Sequence, residues 1–223
     1  MGPVKTPSAV LFDLDGTLVD TVPFILACVR HAFQDYGTAP TDAQWIAGIG
    51  TPIVAQLAPF ARSPGDVERL LARYREHWRL HHDEFTRSFP GAAETVAALR
   101  AAGHPMAVVT AKTERSALRT LGHIGLLPCM GAVVGVDSCE RCKPDPEPVR
   151  LALARLGAEP ERAVLLGDAV HDMAAAQGAG VKALGAGWGA GAPADLLSAG
   201  ALRVLADIRD LPLVLSELES VAA

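Results

Sequence analysis

A short apolar run near the start of the chain, Ala9-Val10-Leu11-Phe12, ends abruptly in the acidic stretch Asp13-Leu14-Asp15-Gly16-Thr17. Four apolar residues without alternation are typical of a parallel strand that is covered on both faces. In open α/β sheets, ligands bind at the carboxyl ends of such strands. Two carboxylates at one strand end need a cation between them or a proton on one of them. The run therefore predicts a parallel sheet with a Mg²⁺ or acid–base site at this edge.

Strand-like and helix-like segments alternate along the rest of the chain. Apolar runs at 106–109, 132–136, 163–166, 181–184 and 203–205 are separated by segments with helical spacing. Parallel strands joined through helices require right-handed crossovers. The pattern predicts an α/β fold, a Rossmann-like doubly wound parallel sheet.

The stretch between the first two strands contains no strand pattern and holds several helical segments. A helical insertion at this point predicts a cap domain at 20–87, with the α/β core formed by 1–19 and 88–223. Most of the aromatic residues of the chain lie in this insertion. A helical unit of this size needs large side chains in its core, so they predict a small hydrophobic core rather than a binding box.

Composition narrows the function classes. The chain has 20 basic and 25 acidic residues among 223, a net charge of −5, and lacks a long basic run. Nucleic-acid binding is disfavoured because a phosphate backbone requires a basic face. No apolar stretch is long enough for a membrane span, and the first eight residues lack the apolar centre of a signal peptide. These features predict a cytoplasmic protein that binds neither membranes nor nucleic acid. They leave the oligomeric state open, as a monomer or a homodimer.

Four motifs follow one another in a recognisable order. They are Asp13-Leu14-Asp15-Gly16-Thr17, Thr110 after the second strand, Lys143 before a helix, and Gly167-Asp168 followed by Asp172. This order and spacing resembles the four-motif pattern of the haloacid dehalogenase superfamily across most of the chain. The resemblance implies an α/β core with a helical cap and a phosphatase that depends on Mg²⁺.

The resemblance also implies a role for each motif residue. Asp13 would be the nucleophile that forms an aspartyl-phosphate, and Asp15 the general acid and base. Thr110 and the backbone at Ala111 would bind the phosphoryl group, and Lys143 would contact it too by placing a positive charge between the phosphoryl group and Asp13. The implied Mg²⁺ ligands are the Asp13 carboxylate, the Asp15 main-chain carbonyl and Asp168, with Asp172 close by or acting through water.

The same residues have ordinary structural interpretations. Thr110 is a suitable helix N-cap, Lys143 a suitable solvated loop cation, and Asp168 with Asp172 a suitable capping pair. Ala111 departs from the pattern, because relatives commonly carry a polar side chain there. Its assigned contribution is therefore limited to the main chain.

The insertion lies where the cap occurs in the subgroup with phosphoglycolate phosphatases, bacterial pyrophosphatase-like relatives and β-phosphoglucomutase, and the chain most resembles the phosphoglycolate phosphatase branch. Gly50, in the loop 48–52, and Arg75 are candidate substrate contacts, the latter for an anion. Phosphoglycolate, a sugar phosphate, a nucleotide monophosphate and a phosphorylated biosynthetic intermediate all remain open as substrates. A phosphosugar mutase and a catalytically silent interaction protein are the alternative functions.

The histidines at 77, 81 and 82 form a second candidate metal site on the last long helix of the insertion. His77 and His81 are four residues apart, the spacing found in zinc-binding helices, but the general-base glutamate of that motif is missing. A solvated helix face is the favoured interpretation.

Overall fold

The computed structural model describes residues 8–221. Within them six parallel strands form one sheet in the order β3-β2-β1-β4-β5-β6. Parallel pairing joins each neighbouring pair, so the first strand lies at the centre of the sheet. The strands are β1 (Ala9–Phe12), β2 (Met106–Val109), β3 (Ala132–Val134), β4 (Ala163–Gly167), β5 (Lys182–Ala186) and β6 (Arg203–Leu205). The predicted doubly wound α/β sheet is confirmed.

The α-helices of the same residues occupy the predicted connections and the carboxyl-terminal part of the chain. The insertion holds α1 (Val22–Phe33), α2 (Asp42–Ile46), α3 (Ile53–Leu57) and α4 (Pro64–Phe85). The core holds α5 (Ala92–Ala101), α6 (Glu114–His123), α7 (Glu147–Leu156), α8 (Val170–Gly178), α9 (Pro193–Ser198) and α10 (Leu211–Val221). The last two helices are absent from the sequence prediction.

The sheet is buried on both faces because successive strand residues point to opposite sides. Val10 and Phe12 belong to one hydrophobic cluster, and Ala9 and Leu11 belong to another. The side chains of the three residues at 10–12 are fully buried. Each large apolar side chain buried in this way contributes roughly 1.5–3 kcal/mol to folding. The uninterrupted apolar run of β1 therefore lies inside the sheet, between the two hydrophobic clusters that cover its faces.

The helical insertion has a hydrophobic cluster of its own. Phe33, Tyr36, Trp45 and Leu70 are buried in it, and all its members come from residues 22–74. Two chain crossings join the insertion to the core, where Val19 pairs with Ser88 and the amide of Asp20 donates to the carbonyl of Arg87. These contacts lie at the positions where the sequence predicts the two boundaries of the insertion, at 20 and at 87–88. Residues 1–7 of the predicted core unit lie outside the described residues.

The start of helix α4 is held by side-chain hydrogen bonds. Its first turn is capped by Ser63, whose hydroxyl accepts from the amide of Asp66 at 3.3 Å. The Asp66 carboxylate in turn accepts from the hydroxyl of Tyr36 at 2.7 Å, which joins the start of α4 to the turn after α1. Among the described residues we find no helix long and apolar enough to cross a membrane.

Candidate functional site

Three buried polar residues lie at the carboxyl ends of neighbouring strands. Asp13 follows β1, Thr110 follows β2 and Asp168 follows β4. The amide of Asp13 donates to the carbonyl of Leu166, and the amide of Thr110 donates to that of Val134, both at 2.9 Å. Interstrand hydrogen bonding thus continues into both residues, which places their side chains at one edge of the sheet. The strand ends meet as the sequence predicts.

The carboxylates of Asp13, Asp168 and Asp172 form a buried acidic cluster, with one oxygen of each within 4.8 Å of the others. Lys143 is the cation of this cluster. Its Nζ lies 2.9 Å from Asp13 Oδ1 and 2.6 Å from Asp172 Oδ1, and it donates to the carbonyl of Val109 at 2.9 Å. Three carboxylates against one ammonium leave two negative charges in excess if all are ionised.

The pKa values of the cluster show this excess charge. Burial raises the pKa of Asp13 to about 7, opposed by Lys143 and reinforced by Asp172. Burial, with the neighbouring Asp13 and Asp172, also raises the pKa of Asp168 well above its usual value. Burial alone would lower the pKa of Lys143, but the carboxylates of Asp13 and Asp172 outweigh it and raise that pKa. The cluster therefore favours the entry of a further positive charge.

Asp168 is held from two sides. The hydroxyl of Thr17 donates to its Oδ1 at 3.2 Å, and the amide of Ala190 donates to its Oδ2 at 2.8 Å. The chain can pass this close only because residue 16 is glycine. A Cβ on Gly16 would lie 2.1 Å from Asp168 Oδ2, and its φ of +80° favours glycine as well.

Asp15 lies outside the acidic cluster and has partners of its own. Its carboxylate oxygens both lie 2.5 Å from Nζ of Lys112, and the hydroxyl of Thr21 donates to Oδ1. Thr21 occupies the N-cap position of α1 without making a side-chain capping bond, because its hydroxyl is directed to Asp15. The sequence analysis missed Lys112, although it stands two residues after Thr110.

The ordinary interpretations of these residues can now be judged. Lys143 is only 3% exposed, so the solvated loop cation is wrong. The N-cap of α6 is Thr113, whose hydroxyl accepts from the amide of Ser116, so Thr110 is not the cap. Asp172 does act as a cap, because its Oδ2 accepts from the amide of Ala169 at 3.1 Å. Capping and membership of the acidic cluster are therefore compatible.

A cavity of about 280 Å³ opens above the strand ends, between the core and the insertion. Asp13, Asp15, Thr110 and Ala111 line its core side. The residues lining it from the insertion include the two predicted contacts, Gly50 and Arg75, and three aromatic residues whose position here was not predicted, Trp45, Tyr74 and Trp78. Lys143 lies behind Asp13, buried in the cluster, and does not line the cavity.

The loop at 48–52 touches the core through Gly50. A Cβ at this position would lie 2.8 Å from the Cβ of Ala169, and the φ of Gly50 is +95°. Ala169 directly follows Asp168 in the sequence. The insertion therefore contacts the core one residue from the acidic cluster, which places this loop at the site.

The donor set of the acidic cluster suits Mg²⁺. Hard divalent cations prefer oxygen ligands, and carboxylates are the protein groups that supply them. Among residues 8–221, these three aspartates are the one group of three or more potential ligands that meets this geometry. The histidines of α4 do not form such a group, and His82 is only 1% exposed, so a solvated position is wrong for it.

Comparison with known proteins gives consistent relatives. The sequence pattern of a family described as haloacid dehalogenase-like hydrolase matches residues 10–186. The pyrophosphatase PpaX of Halalkalibacterium halodurans is 36% identical over 178 residues, covering 78% of this chain and 81% of that protein. A probable phosphatase, IndB, of Dickeya dadantii is 35% identical over 186 residues, covering 81% of each.

A solved structure extends the comparison to nearly the whole chain. A predicted phosphoglycolate phosphatase from Haemophilus somnus has a TM-score of 0.86 and covers 95% of this chain and 99% of its own. Its sequence identity is 22%, so the likeness concerns the fold.

Proposed function

The chain belongs to the haloacid dehalogenase-like hydrolases, and on that premise we propose that it is a Mg²⁺-dependent phosphomonoesterase that forms an aspartyl-phosphate on Asp13. One observation carries the proposal. The carboxylate of Asp13 lies at the floor of the cavity, is bonded to the buried ammonium of Lys143, and shares a cluster with two further aspartates. A carboxylate nucleophile divides phosphate-ester hydrolysis into two displacements.

In the first displacement an oxygen of Asp13 attacks phosphorus and the ester oxygen leaves as the alcohol. Lys143 holds the Asp13 carboxylate in place through the 2.9 Å bond. Thr110 lines the cavity beside Asp13, so its hydroxyl is available to a phosphoryl oxygen. Asp15 lies at the same wall and gives its proton to the leaving oxygen.

In the second displacement water attacks phosphorus and releases phosphate from Asp13. Asp15, now ionised, accepts the proton of that water, so the same carboxyl group serves as acid and then as base. The contacts of Lys112 and Thr21 hold its carboxylate at the cavity wall. The cycle ends with Asp13 free and Asp15 protonated.

Asp13, Asp168 and Asp172 are the carboxylates that would hold Mg²⁺, and family resemblance adds the main-chain carbonyl of Asp15. When bound, the ion would supply the positive charge that the cluster lacks and neutralise phosphoryl oxygens during the displacement. The substrate is a small phosphorylated metabolite. The family resemblance points to phosphoglycolate, but the alcohol that it releases carries a carboxylate, which the mainly apolar wall contributed by the insertion does not match.

The test is phosphate release from a panel of phosphomonoesters, with and without Mg²⁺, by the wild-type chain and by Asp13→Asn. We expect release that requires Mg²⁺ and falls by on the order of 10³-fold or more in the variant, because the nucleophile is lost. Asp20→Asn is the matched control. Asp20 is exposed at the start of the insertion and should tolerate the change with normal turnover.

Thermal unfolding of both variants separates chemistry from folding. A folded Asp13→Asn protein with appreciable Mg²⁺-dependent turnover would refute the nucleophile assignment. Isomerisation of a phosphosugar in place of phosphate release would indicate the mutase, because Asp15 serves either reaction. A folded wild-type chain that shows neither activity would revive the silent interaction protein.

A further inference from the structure

We propose that the alcohol released by this enzyme has an uncharged, mainly apolar body about the size of one ring. The inference rests on the proposed phosphatase function and names its substrate class. It follows from the different chemistry of the two sides of the 280 Å³ cavity. The core side is polar and charged, whereas the side contributed by the insertion is aromatic and aliphatic.

The insertion contributes most of the apolar side chains that line the cavity. The aromatic members are Trp45, Tyr74 and Trp78, and the aliphatic members are Ile25, Ile49, Ile53 and Val54. Burying apolar surface against such a wall favours binding. A phosphoryl group bound at Asp13 would direct the rest of the ester toward this wall.

Charge argues against an anionic leaving group. Among the described lining residues from the insertion, Arg75 is the one cation, and it is exposed. Lys112 also lines the cavity, but its ammonium is bonded to both carboxylate oxygens of Asp15. A second phosphate, as in pyrophosphate, would lack the cations that its charge requires.

Two polar groups of the insertion wall are bonded to main-chain carbonyls, whereas Nε1 of Trp45 and Oε1 of Gln56 are buried without a hydrogen-bond partner among the described residues. The hydroxyl of Thr51 donates to the carbonyl of Gly48 at 2.7 Å, and the amide nitrogen of Gln56 donates to the carbonyl of Thr51 at 2.8 Å. On the core side, the hydroxyls of Thr113 and Ser116 bond to each other at 2.9 Å. A sugar brings several hydroxyl groups that need partners, more than the two unpaired atoms of Trp45 and Gln56 can supply.

The size of the cavity agrees with one ring. An apolar cavity of about 150 Å³ holds a benzene ring. The volume of about 280 Å³ therefore accommodates a phosphoryl group and a ring joined by a short linker.

The experiment measures binding of four non-hydrolysable phosphonates to the wild-type chain with Mg²⁺, by titration calorimetry. They are 3-phenylpropylphosphonate, ethylphosphonate, 3-phosphonopropionate and methylenediphosphonate. We expect the phenylpropyl compound to bind about tenfold or more tighter than ethylphosphonate, as burial of a ring requires. Equal affinities, or tighter binding of either of the two more highly charged compounds, would overturn the inference.

Two arginine variants locate the ring. Val54 lines the cavity and is 48% exposed, so Val54→Arg adds a cation there at little cost to folding. Leu80, 61% exposed and away from the cavity, is the matched control as Leu80→Arg. We expect the phenylpropyl preference to fall about fivefold or more in Val54→Arg and to persist in Leu80→Arg. Equal loss in both, or full retention in Val54→Arg, would contradict the assignment.

The binding measurements test the apolar substrate, and the turnover measurements test the phosphatase, so one proposal can fail while the other stands. The phenylpropyl preference without phosphate release from any ester would support the apolar pocket and remove the phosphatase. Mg²⁺-dependent release through Asp13, combined with tighter binding of 3-phosphonopropionate that is lost in Arg75→Gln, would keep the phosphatase and overturn the apolar substrate.

Discussion

At the scale of single residues, each of the two aspartates of the first acidic motif forms an ion pair with a different lysine. Lys143 bonds Asp13 within the buried cluster, and Lys112 bonds Asp15 at the cavity wall. The motif therefore presents one carboxylate shielded by burial and one that remains partly accessible. This separation suits a nucleophile and a proton donor that act on the same ester.

Lys112→Met tests the second of these pairs. Without the ammonium, the Asp15 carboxylate keeps the hydroxyl of Thr21 but loses its contact from the β2 side. We expect kcat to fall about 10- to 100-fold, because displacement of a catalytic group by about 1 Å costs that much, with KM changed far less. Steady-state kinetics on the preferred ester measure both constants.

Lys182→Met is the control for the loss of a lysine. Lys182 donates to the carbonyl of Glu161 at the opposite end of the sheet, so its removal should leave kcat unchanged. A normal kcat in Lys112→Met, or an equal loss in both variants, would remove Lys112 from the positioning of Asp15.

At the scale of elements, α4 connects the cavity to the core. Tyr74 and Trp78, four residues apart, line the cavity from one side of this helix. Further along, His82 is buried against α6, with Nε2 2.9 Å from the hydroxyl of Thr120 and Nδ1 2.5 Å from Asp83 Oδ1. A displacement of α4 would therefore move the cavity wall and this contact together.

His82→Gln tests the contact through its pH dependence. Burial lowers the pKa of His82 below its usual 6.5, opposed by Asp83 and reinforced by Arg119 and Lys112. As pH falls below about 6.5 the unfolded chain takes up a proton at His82 before the folded chain does, so stability is lost. Urea unfolding at pH 8 and pH 5 should show a smaller loss for His82→Gln than for wild type. Equal losses would contradict the assignment.

The loop at 48–52 is the second element that joins the insertion to the site. Gly50→Ala places a methyl group against Ala169 and forces a positive φ on alanine. We expect turnover to fall about tenfold, because the loop can no longer approach the core, and stability to fall by about 1–2 kcal/mol.

Gly37→Ala separates the two effects. Gly37 also has a positive φ, +90°, but nothing lies within 4 Å of its Cβ position. It should show a similar loss of stability in denaturant unfolding with normal turnover. A comparable loss of activity in both variants would show that backbone strain, and not the contact with Ala169, affects the site.

At the scale of the whole molecule, we propose that the hydrophobic clusters correspond to two units, the core and the insertion. The two sheet clusters come from the core, and the third comes from residues 22–74. The cluster of the insertion has fewer buried residues than either cluster of the core. Two of the four helices around it, α2 and α3, are only five residues long. Hydrogen exchange should therefore report opening of α1–α4 at a lower free energy than the central strands. Uniform exchange across both units would contradict the predicted division at 20–87.

The fold was predictable because its signals are local. The apolar run of β1, the polar residue after each site strand and the strand-free insertion can each be read within a few positions. Helix α10 was missed although Leu211, Val214 and Leu215 have helical spacing and are buried. Helix α10 comes after the short edge strand β6 and is not followed by another strand within residues 8–221. Its helical spacing is therefore a weaker signal for a helix than the same spacing between two strands.

The site was predictable where a motif carries it and not where contacts join distant segments. The acidic cluster follows from strand ends, but the bond between Lys112 and Asp15 spans 97 positions and has no sequence pattern. The aromatic cavity wall was missed for a related reason. Trp45 contributes to both the hydrophobic cluster of the insertion and the cavity, and spacing alone predicts only the former.

Asp168 is supported by the main-chain amide of Ala190, in the segment that follows β5. The support of Asp168 therefore depends on whether residue 190 has an N–H group and not on its side chain. We expect a change of side chain at this position to leave the contact in place. Proline is the one residue type that removes the donor, so it is the substitution that would release Oδ2 of Asp168 from this contact.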